Sequence, residues 1–450
     1  MHNFVATFEP LNLKRRFNGT LLLPGDAEYE AARRVHNGAI DRRPALVAIC
    51  ADADDVRRAV EFAREHQLLT AVRSGGHSQV GHSTCDGGMI IDLSGLKEIR
   101  VARERAIANV GGGVRAAELD RATQAVGLAT VLGQCPSVGI GGLTTGGGFG
   151  WLTGSHGLTC DNLLSAQVVT ADGAQMRAAA DENDDLFWAI RGGGGNFGIA
   201  IQLDYRLHPV GQVVGGILSY PLVQAREGFA FVRGLLSRQG DALGVSFGIR
   251  PLGESSVFAI AVCFCGDAND AKPLLDELQS FACPIDGSIS PLPYLQMQSL
   301  SSGSPSGTCL HNIGGFIREL SDKAIDTIIE CVRSNPCASK SFWFDRYHGA
   351  MCRVAQTATA FPVREAGFGF LIEAEWNSSA DGRPQVDWVN QSLKAMEPFS
   401  ADITYVANLG ADSPERVRSS YGPNYTRLSL IKRKYDPDNF FQLNQNIAPA

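Results

Sequence analysis

Two side chains able to form covalent bonds lie inside glycine-rich stretches of this chain. His77 ends the stretch Arg73-Ser-Gly-Gly-His. Cys135 lies near the start of a run from Gly133 to Gly150 in which eight of eighteen residues are glycine. Imidazole and thiolate are both nucleophiles. Glycine, lacking a side chain, lets backbone N–H groups come close to phosphate oxygens. A third run, Arg191-Gly-Gly-Gly-Gly-Asn-Phe-Gly198, follows. Taken singly, each residue also fits a plainer role: a histidine after a glycine turn serves at surfaces, and a free cysteine is often a small buried residue. A histidine and a cysteine, each embedded in such a loop, point together to a phosphorylated ligand gripped from two sides.

Proton chemistry needs a base as well. In Phe368-Gly-Phe-Leu-Ile-Glu-Ala-Glu-Trp376 the alternation puts Phe368, Phe370, Ile372, Ala374 and Trp376 on one strand face. Glu373 and Glu375 share the other, which suits either a solvated acidic face or an active-site pair. Tyr405, in Thr404-Tyr-Val-Ala-Asn408, is a second candidate base, and His348 a possible pocket residue or structural one.

The elements that must position these residues follow from periodicity. Leu46 to Cys50 reads as a strand, Asp52 as the cap of a helix carrying Val56, Val60 and Ala63, and Leu68 to Arg73 as a second strand. This β-α-β unit delivers the chain into the first glycine loop, at the strand end where α/β folds bind ligands. Further strands are expected at 89–93, 99–101, 106–110, 164–170 and 199–207, with helices at 116–125 and 184–190. The second glycine run is too rich in glycine to predict helix or strand within it. Gly193, Gly195 and Gly198 have Gly-x-Gly-x-x-Gly spacing but precede a strand, so a Rossmann fingerprint fails its context, and no Gly-Lys-Ser or Gly-Lys-Thr supports a P-loop. Past Pro209 strands (216–221, 244–250, 257–264, 367–376, 403–406) alternate with amphipathic helices (224–238, 271–281, 322–333, 381–396), which predicts an antiparallel sheet with helices on one face. Ser299 to Thr308 reads as a mobile loop. A last helix, 424–435, precedes a polar tail whose Phe440, Phe441 and Leu443 predict docking on the first lobe.

Composition narrows the partners. The chain has 450 residues, net charge -7 and no basic block, which argues against nucleic acid. No apolar run reaches the roughly 18 residues of a membrane span, and the first ten residues lack a signal-peptide pattern. Eleven cysteines in so long a chain predict reduced thiols and a cytoplasmic location. Cys263 and Cys265 lack the Cys-x-x-Cys spacing of metal or redox sites, and no metal is expected.

The sequence resembles the FAD-linked oxidases of the vanillyl-alcohol oxidase/PCMH superfamily, and within it the berberine bridge enzyme-like group. The resemblance rests on Arg73-Ser-Gly-Gly-His-Ser78, Cys135-Pro-Ser-Val-Gly-Ile-Gly-Gly142, Gly146-Gly-Gly-Phe-Gly150, Leu158-Thr-Cys-Asp-Asn162, the third glycine run, Tyr421-Gly-Pro-Asn-Tyr-Thr-Arg-Leu428 and Lys434-Tyr-Asp-Pro-Asp-Asn-Phe-Phe441. It implies an α+β fold: a two-part, PCMH-type FAD lobe (40–210), a substrate lobe on an antiparallel sheet flanked by helices (211–402), and a C-terminal segment (403–450) returning to the FAD lobe. It implies FAD bonded to His77 through the 8α carbon and to Cys135 through C6. Arg73, Ser74, Gly75, Gly76, Ser78, Val138, Gly139, Gly141, Gly142, Thr145, Gly146, Gly148, Asn196, Gly198, Ile199, Asn444 and Asn446 would hold the rest of it. The small side chain of Val138, beside the flavin edge that meets oxygen, favours an oxidase giving hydrogen peroxide over a dehydrogenase with another acceptor. Carbohydrate oxidases of the group often carry Tyr-x-Asn-Tyr where this chain has Tyr405-Val-Ala-Asn408. That departure favours an alcohol, phenol or amine substrate over a sugar, with Glu373, Glu375 or Tyr405 as base. A monomer or homodimer is expected.

Overall fold

The computed structural model describes residues 11–300, 303–334, 339–411 and 413–450. Thr20–Leu22 (β1), Leu46–Ile49 (β2), Thr70–Arg73 (β3) and Met89–Asp92 (β4) form a sheet in the order β1-β2-β4-β3. β2 and β3 run parallel to β4, as a β-α-β crossover requires. The crossover helix is Ala53–Glu65 (α1): the Asp52 side chain accepts from the Asp55 N–H at 2.9 Å, and Val56, Ala59, Val60 and Ala63 are buried.

A second sheet, antiparallel, follows: Ile99–Ala102 (β5), Ile107–Gly111 (β6), Leu163–Val169 (β7), Gln175–Ala179 (β8) and Ile199–Arg206 (β9), ordered β5-β6-β9-β7-β8. Ala116–Gln124 (α2) packs on it. The second glycine run departs from expectation, because Ile140–Gly146 is a short helix (α3). Glycine's low helix propensity is a local term. Here the turn is enclosed, with Ile140, Gly141, Thr144, Thr145 and Gly146 buried, and the Thr144 hydroxyl meets the Tyr205 hydroxyl at 2.6 Å. Tertiary packing decides the conformation.

The third sheet has seven strands: Gln212–Pro221 (β10), Leu243–Leu252 (β11), Ser255–Phe264 (β12), Asp286–Pro293 (β13), Cys309–Ile317 (β14), Lys340–Tyr347 (β15) and Gly367–Trp376 (β16), ordered β13-β10-β12-β11-β15-β16-β14 and antiparallel throughout. Helices Ala225–Leu236 (α4), Lys272–Phe281 (α5), Asp322–Arg333 (α6) and Arg383–Met396 (α7) cover one face, burying Phe229, Val232, Ile325, Ile328 and Val389 against Phe247, Phe342, Phe344, Phe370 and Ile372. The opposite face turns to the first lobe, where Ala261, Cys263 and Trp343 meet Trp151 and Leu152.

Residues 403–406 are not a strand. They run irregularly into a 3-10 turn at Val406–Asn408; the chain bridges the edge strand β14 at Ser400–Ile317 and then leaves its ladder. Of the expected mobile stretch Ser299 to Thr308, residues 301 and 302 lie outside the described residues. Its second half is fastened: Gly307 N–H donates to His36 O at 2.9 Å, and Gly38 N–H to Thr308 O at 2.9 Å. Tyr425–Tyr435 (α8) and the tail lie on the first lobe, with Leu428, Ile431 and Ile447 in the core of the second sheet and Phe441 in that of the first. The protein is of the α+β class.

Candidate active site

Ser74 and Gly75, immediately after β3, meet the second glycine run backbone to backbone. The Ser74 hydroxyl donates to Gly112 O at 2.7 Å and accepts from Gly141 N–H at 3.3 Å. A methyl group on Gly75 would overlap the backbone of Gly139, and one on Gly139 would overlap Gly75 and Ser74. Both positions therefore exclude any other residue. The second run meets the third where Gly192 N–H donates to Thr145 O at 2.9 Å. Asn196 fastens the third run to the C-terminal tail: its amide donates to Gln445 O at 3.2 Å, and its carbonyl accepts from Ile447 N–H at 3.0 Å. Three stretches far apart in sequence thus converge on one opening.

His77 stands at this junction. Its ring stacks on His36, with centroids 4.0 Å apart and planes 21° apart. It also hydrogen-bonds to the backbone of Ser137, two residues beyond Cys135. Enclosure, His36 and Arg115 push the His77 imidazole down to about 4, against the pull of the Ser137 bond, so the ring is neutral at ordinary pH. The Cys135 thiol lies 3.4 Å from the Ser137 hydroxyl, and a methyl on Gly303 would come within 3.5 Å of it. A neutral imidazole and a thiol therefore share one rim.

Opposite this rim is the sheet face away from the helices. Pairing of β15 with β16 and of β14 with β16 places Asp345, Leu371, Glu373, Glu375 and Asn312 on it. Glu373 accepts from the Asn312 amide at 2.8 Å; burial raises its carboxyl above the usual range, and the charge of Glu375 adds to that. Glu375 is held by the hydroxyls of Ser304 and Ser339. Asp345 accepts from the Ser246 hydroxyl at 2.5 Å and from the Gln134 amide at 3.5 Å, and Gln134 also reaches Ser246 at 2.9 Å. Burial lifts the Asp345 carboxyl to about 6, against these hydrogen bonds. Gln134 precedes Cys135 in the chain, so this network ties the sheet face to the cysteine loop. Sequence reasoning missed Asp345, Gln134, Ser246 and His36. Their signals were faint: Gln134 beside the cysteine, and Asp345 alternating with the apolar Phe342 and Phe344.

Tyr405 sits on the other side of the second glycine run. Its hydroxyl accepts from Gly148 N–H at 3.1 Å, it lies within 3.7 Å of where a methyl on Gly146 would be, and burial pushes its phenol up to about 12. In this arrangement Tyr405 is protonated at ordinary pH and braces the glycine run through Gly148.

Several expected cofactor residues engage their side chains within the protein. Arg73 lies at the end of β3 in register with Asp92, and the two form a buried ion pair of 2.5 Å; the guanidinium also donates to Arg34 O at 3.1 Å and to Ala32 O. Its charge is spent within the lobe and does not reach the opening. Ile199 is core, and a methyl on Gly198 would strike Val168 and Val169. Ser78 accepts from His82 N–H at 3.0 Å, closing its own turn, and Thr145 donates to Gly141 O at 3.0 Å within α3. Val138 lies beside Ser137 on the rim and is partly exposed.

The opening fits a dinucleotide flavin. Gly142 and Gly195, in adjoining runs, have open space where a side chain would be. The carbonyl oxygens of Asn444 and Asn446 are buried without a hydrogen-bond partner, and the Asn444 amide donates to Gly195 O at 3.3 Å. Buried acceptors without partners call for donors from a ligand, and FAD, with its ribityl hydroxyls and ring N–H, would carry such donors.

Comparison with known proteins agrees. The FAD binding domain family matches residues 44–179, and the family described as berberine and berberine like matches residues 401–448. The FAD-linked oxidoreductase YgaK of Bacillus subtilis (strain 168) is 30% identical over 97% of this chain and 98% of its own. The (R)-6-hydroxynicotine oxidase of Paenarthrobacter nicotinovorans is 30% identical over 96% of this chain and 97% of its own. The crystal structure of 6-hydroxy-D-nicotine oxidase from Arthrobacter nicotinovorans superposes with a TM-score of 0.89 at 28% identity, covering 96% of this chain and 98% of that one. With the three glycine runs, the two orphaned asparagine carbonyls and these matches together, the chain belongs to the berberine bridge enzyme-like group of the PCMH-type FAD-linked oxidoreductases.

Proposed function

We propose that the protein is an oxidase whose FAD is bonded to His77 and Cys135, and that it dehydrogenates a small alcohol, phenol or amine. The observation that carries this reading is the shared rim, where a neutral His77 ring is hydrogen-bonded two residues from Cys135 and an acidic sheet face stands opposite. Bound there, FAD would supply the two-electron acceptor for a hydride, with oxygen as the final acceptor and hydrogen peroxide as product. The chain's residues do the rest. Asp345 accepts the proton from the substrate O–H or N–H, because its carboxyl, at about 6, is ionised near neutrality yet still basic. Ser246 and Gln134 hold it by hydrogen bonds, and Glu373, farther along the same face, orients the substrate's second polar group. The oxidase activity of the nicotine-oxidising relative and the small side chain of Val138 support oxygen as acceptor.

The test is denaturation in acid. The yellow colour and the added mass of FAD should stay with the polypeptide. His77→Ala and Cys135→Ser should each keep one link, and only the double variant should release free FAD. Release from the unaltered protein would overturn the covalent reading. Peroxide formation in air, in a screen of alcohols, phenols and amines, tests the oxidase reading. Reduced protein that stays reduced in air would point to another acceptor.

A further inference from the structure

His36 lies outside every glycine run, yet its ring stacks on that of His77. Its backbone is pinned from both lobes: its N–H donates to Gly76 O at 3.0 Å, and its carbonyl accepts from Gly307 N–H at 2.9 Å. Asn37, next to it, donates to Gln79 O at 3.1 Å and to Leu310 O at 2.9 Å, and accepts from Leu310 N–H at 3.2 Å. Gly38 is bonded to Thr308 O. Residues 36–38 are thus a clip between the first glycine loop and the leading end of β14. So fixed, the His36 ring lies flat against the His77 ring at 4.0 Å and 21°.

Resting on the covalent reading above, we propose that His36 is a positioning residue for attachment of the flavin: it holds the plane of the His77 imidazole so that one nitrogen engages the Ser137 backbone and the other faces the flavin 8-methyl carbon. A side chain free to rotate about χ1 and χ2 presents that nitrogen only part of the time, and fixing a reacting pair in place accounts for large rate factors. Enclosure in this stack holds His77 neutral and its lone pair free. The bond balances as follows. The carbon–nitrogen bond forms as one hydrogen leaves the 8-methyl carbon and the imidazole gives up its proton. These two hydrogens and two electrons enter the flavin ring, which is reduced. Oxygen, the oxidant of the proposed reaction, takes them as hydrogen peroxide.

The experiment isolates the His77 link in a Cys135→Ser background. Protein from flavin-starved cells is mixed with FAD in air. Attachment is followed by intact mass after acid quench and by in-gel fluorescence, while noncovalent FAD binding is measured separately by quenching of flavin fluorescence. Adding His36→Ala should slow attachment at least tenfold with FAD binding within about threefold of the parent. Adding His36→Phe, which keeps a flat ring in the same place, should restore most of the rate. Attachment at the parent rate in His36→Ala overturns the proposal. So does a loss of binding as large as the loss of attachment, or a Phe variant as slow as Ala. A Cys135→Ser parent that never attaches FAD refutes instead the His77 link itself, and the role of His36 falls with it.

Discussion

Asp345 and Glu375 are both carboxylates facing the same opening, and their surroundings separate their roles. Glu375 is engaged by two serine hydroxyls, one of them on the fastened 303–308 segment, so it anchors that segment. Asp345 is enclosed and lifted to about 6. As base it must be ionised, so kcat/KM for a neutral substrate should rise with pH through about 6 and then level. Asp345→Asn should lower kcat by about 10²- to 10⁴-fold and abolish that inflection, whereas Glu375→Gln should leave it in place. Steady-state peroxide assays across pH 5–8 check both. That His77 and Cys135 share one rim was foreshadowed in the sequence, because a nucleophile inside a glycine run stands out against its neighbours. Asp345 was not, since Ser341-Phe-Trp-Phe-Asp-Arg-Tyr347 carries an aromatic residue on both strand faces, and the period of two is hidden. Glu373 and Glu375 were placed on the face away from the apolar core by alternation alone, and they lie there.

At the level of elements, α2 carries a buried acid that the chemistry does not use. Asp120 accepts from the Gln298 amide at 2.9 Å, its other oxygen has no partner, and burial raises its carboxyl to about 7. Its usual value in an unfolded chain is about 4. Between about pH 4 and 7 the native state therefore binds one more proton than the unfolded state at this site, and stability falls by about 1.4 kcal/mol per pH unit. The contribution is whole below about pH 4 and gone above about 7. Asp120→Asn should flatten the pH dependence of the urea midpoint in this window and leave the variant relatively more stable at pH 8. The 3-10 turn Thr159–Asp161 offers a second test. Arg364 donates to both oxygens of Asp161 at 2.7 Å and to the Thr359 hydroxyl at 2.7 Å, and its side chain is 3% exposed. Arg364→Met strands the Asp161 charge and should cost about 3–5 kcal/mol in denaturant unfolding. Helices were legible from their periodicity, down to the bounds of α6. The glycine-rich α3 was not, because its hydrogen bonds are preserved by what surrounds it and not by its own residues.

The whole molecule is held together by contacts between distant parts of the chain. Gln134 crosses to Ser246 and Asp345, residues 36–38 cross to 307–310, and Lys432 is fully buried with Asp436 at 2.6 Å while donating to Asn196 O at 2.8 Å and Phe441 O at 2.9 Å. Composition and the switch from glycine loops to alternating strands and helices located the two halves. The order of the seven-stranded sheet was beyond reach, since β13, β14 and β15 are irregular in pattern and antiparallel pairing can join strands in many orders. Lys432→Met should weaken the tail's hold on the third glycine run, and it is expected to raise the dissociation constant for FAD tenfold or more in a variant lacking both covalent links. Titration of flavin fluorescence measures this.

The Asn196 fastening to residues 445–447 has a bearing on how the molecule is made. The third glycine run leaves the ribosome more than two hundred residues before the segment that braces it. A growing chain can form the first two sheets but holds an unfinished cofactor pocket until residues 445–447 have emerged. Colour should therefore develop only once these residues have left the ribosome, and a nascent chain stalled short of residue 440 should be colourless however much FAD the cell contains.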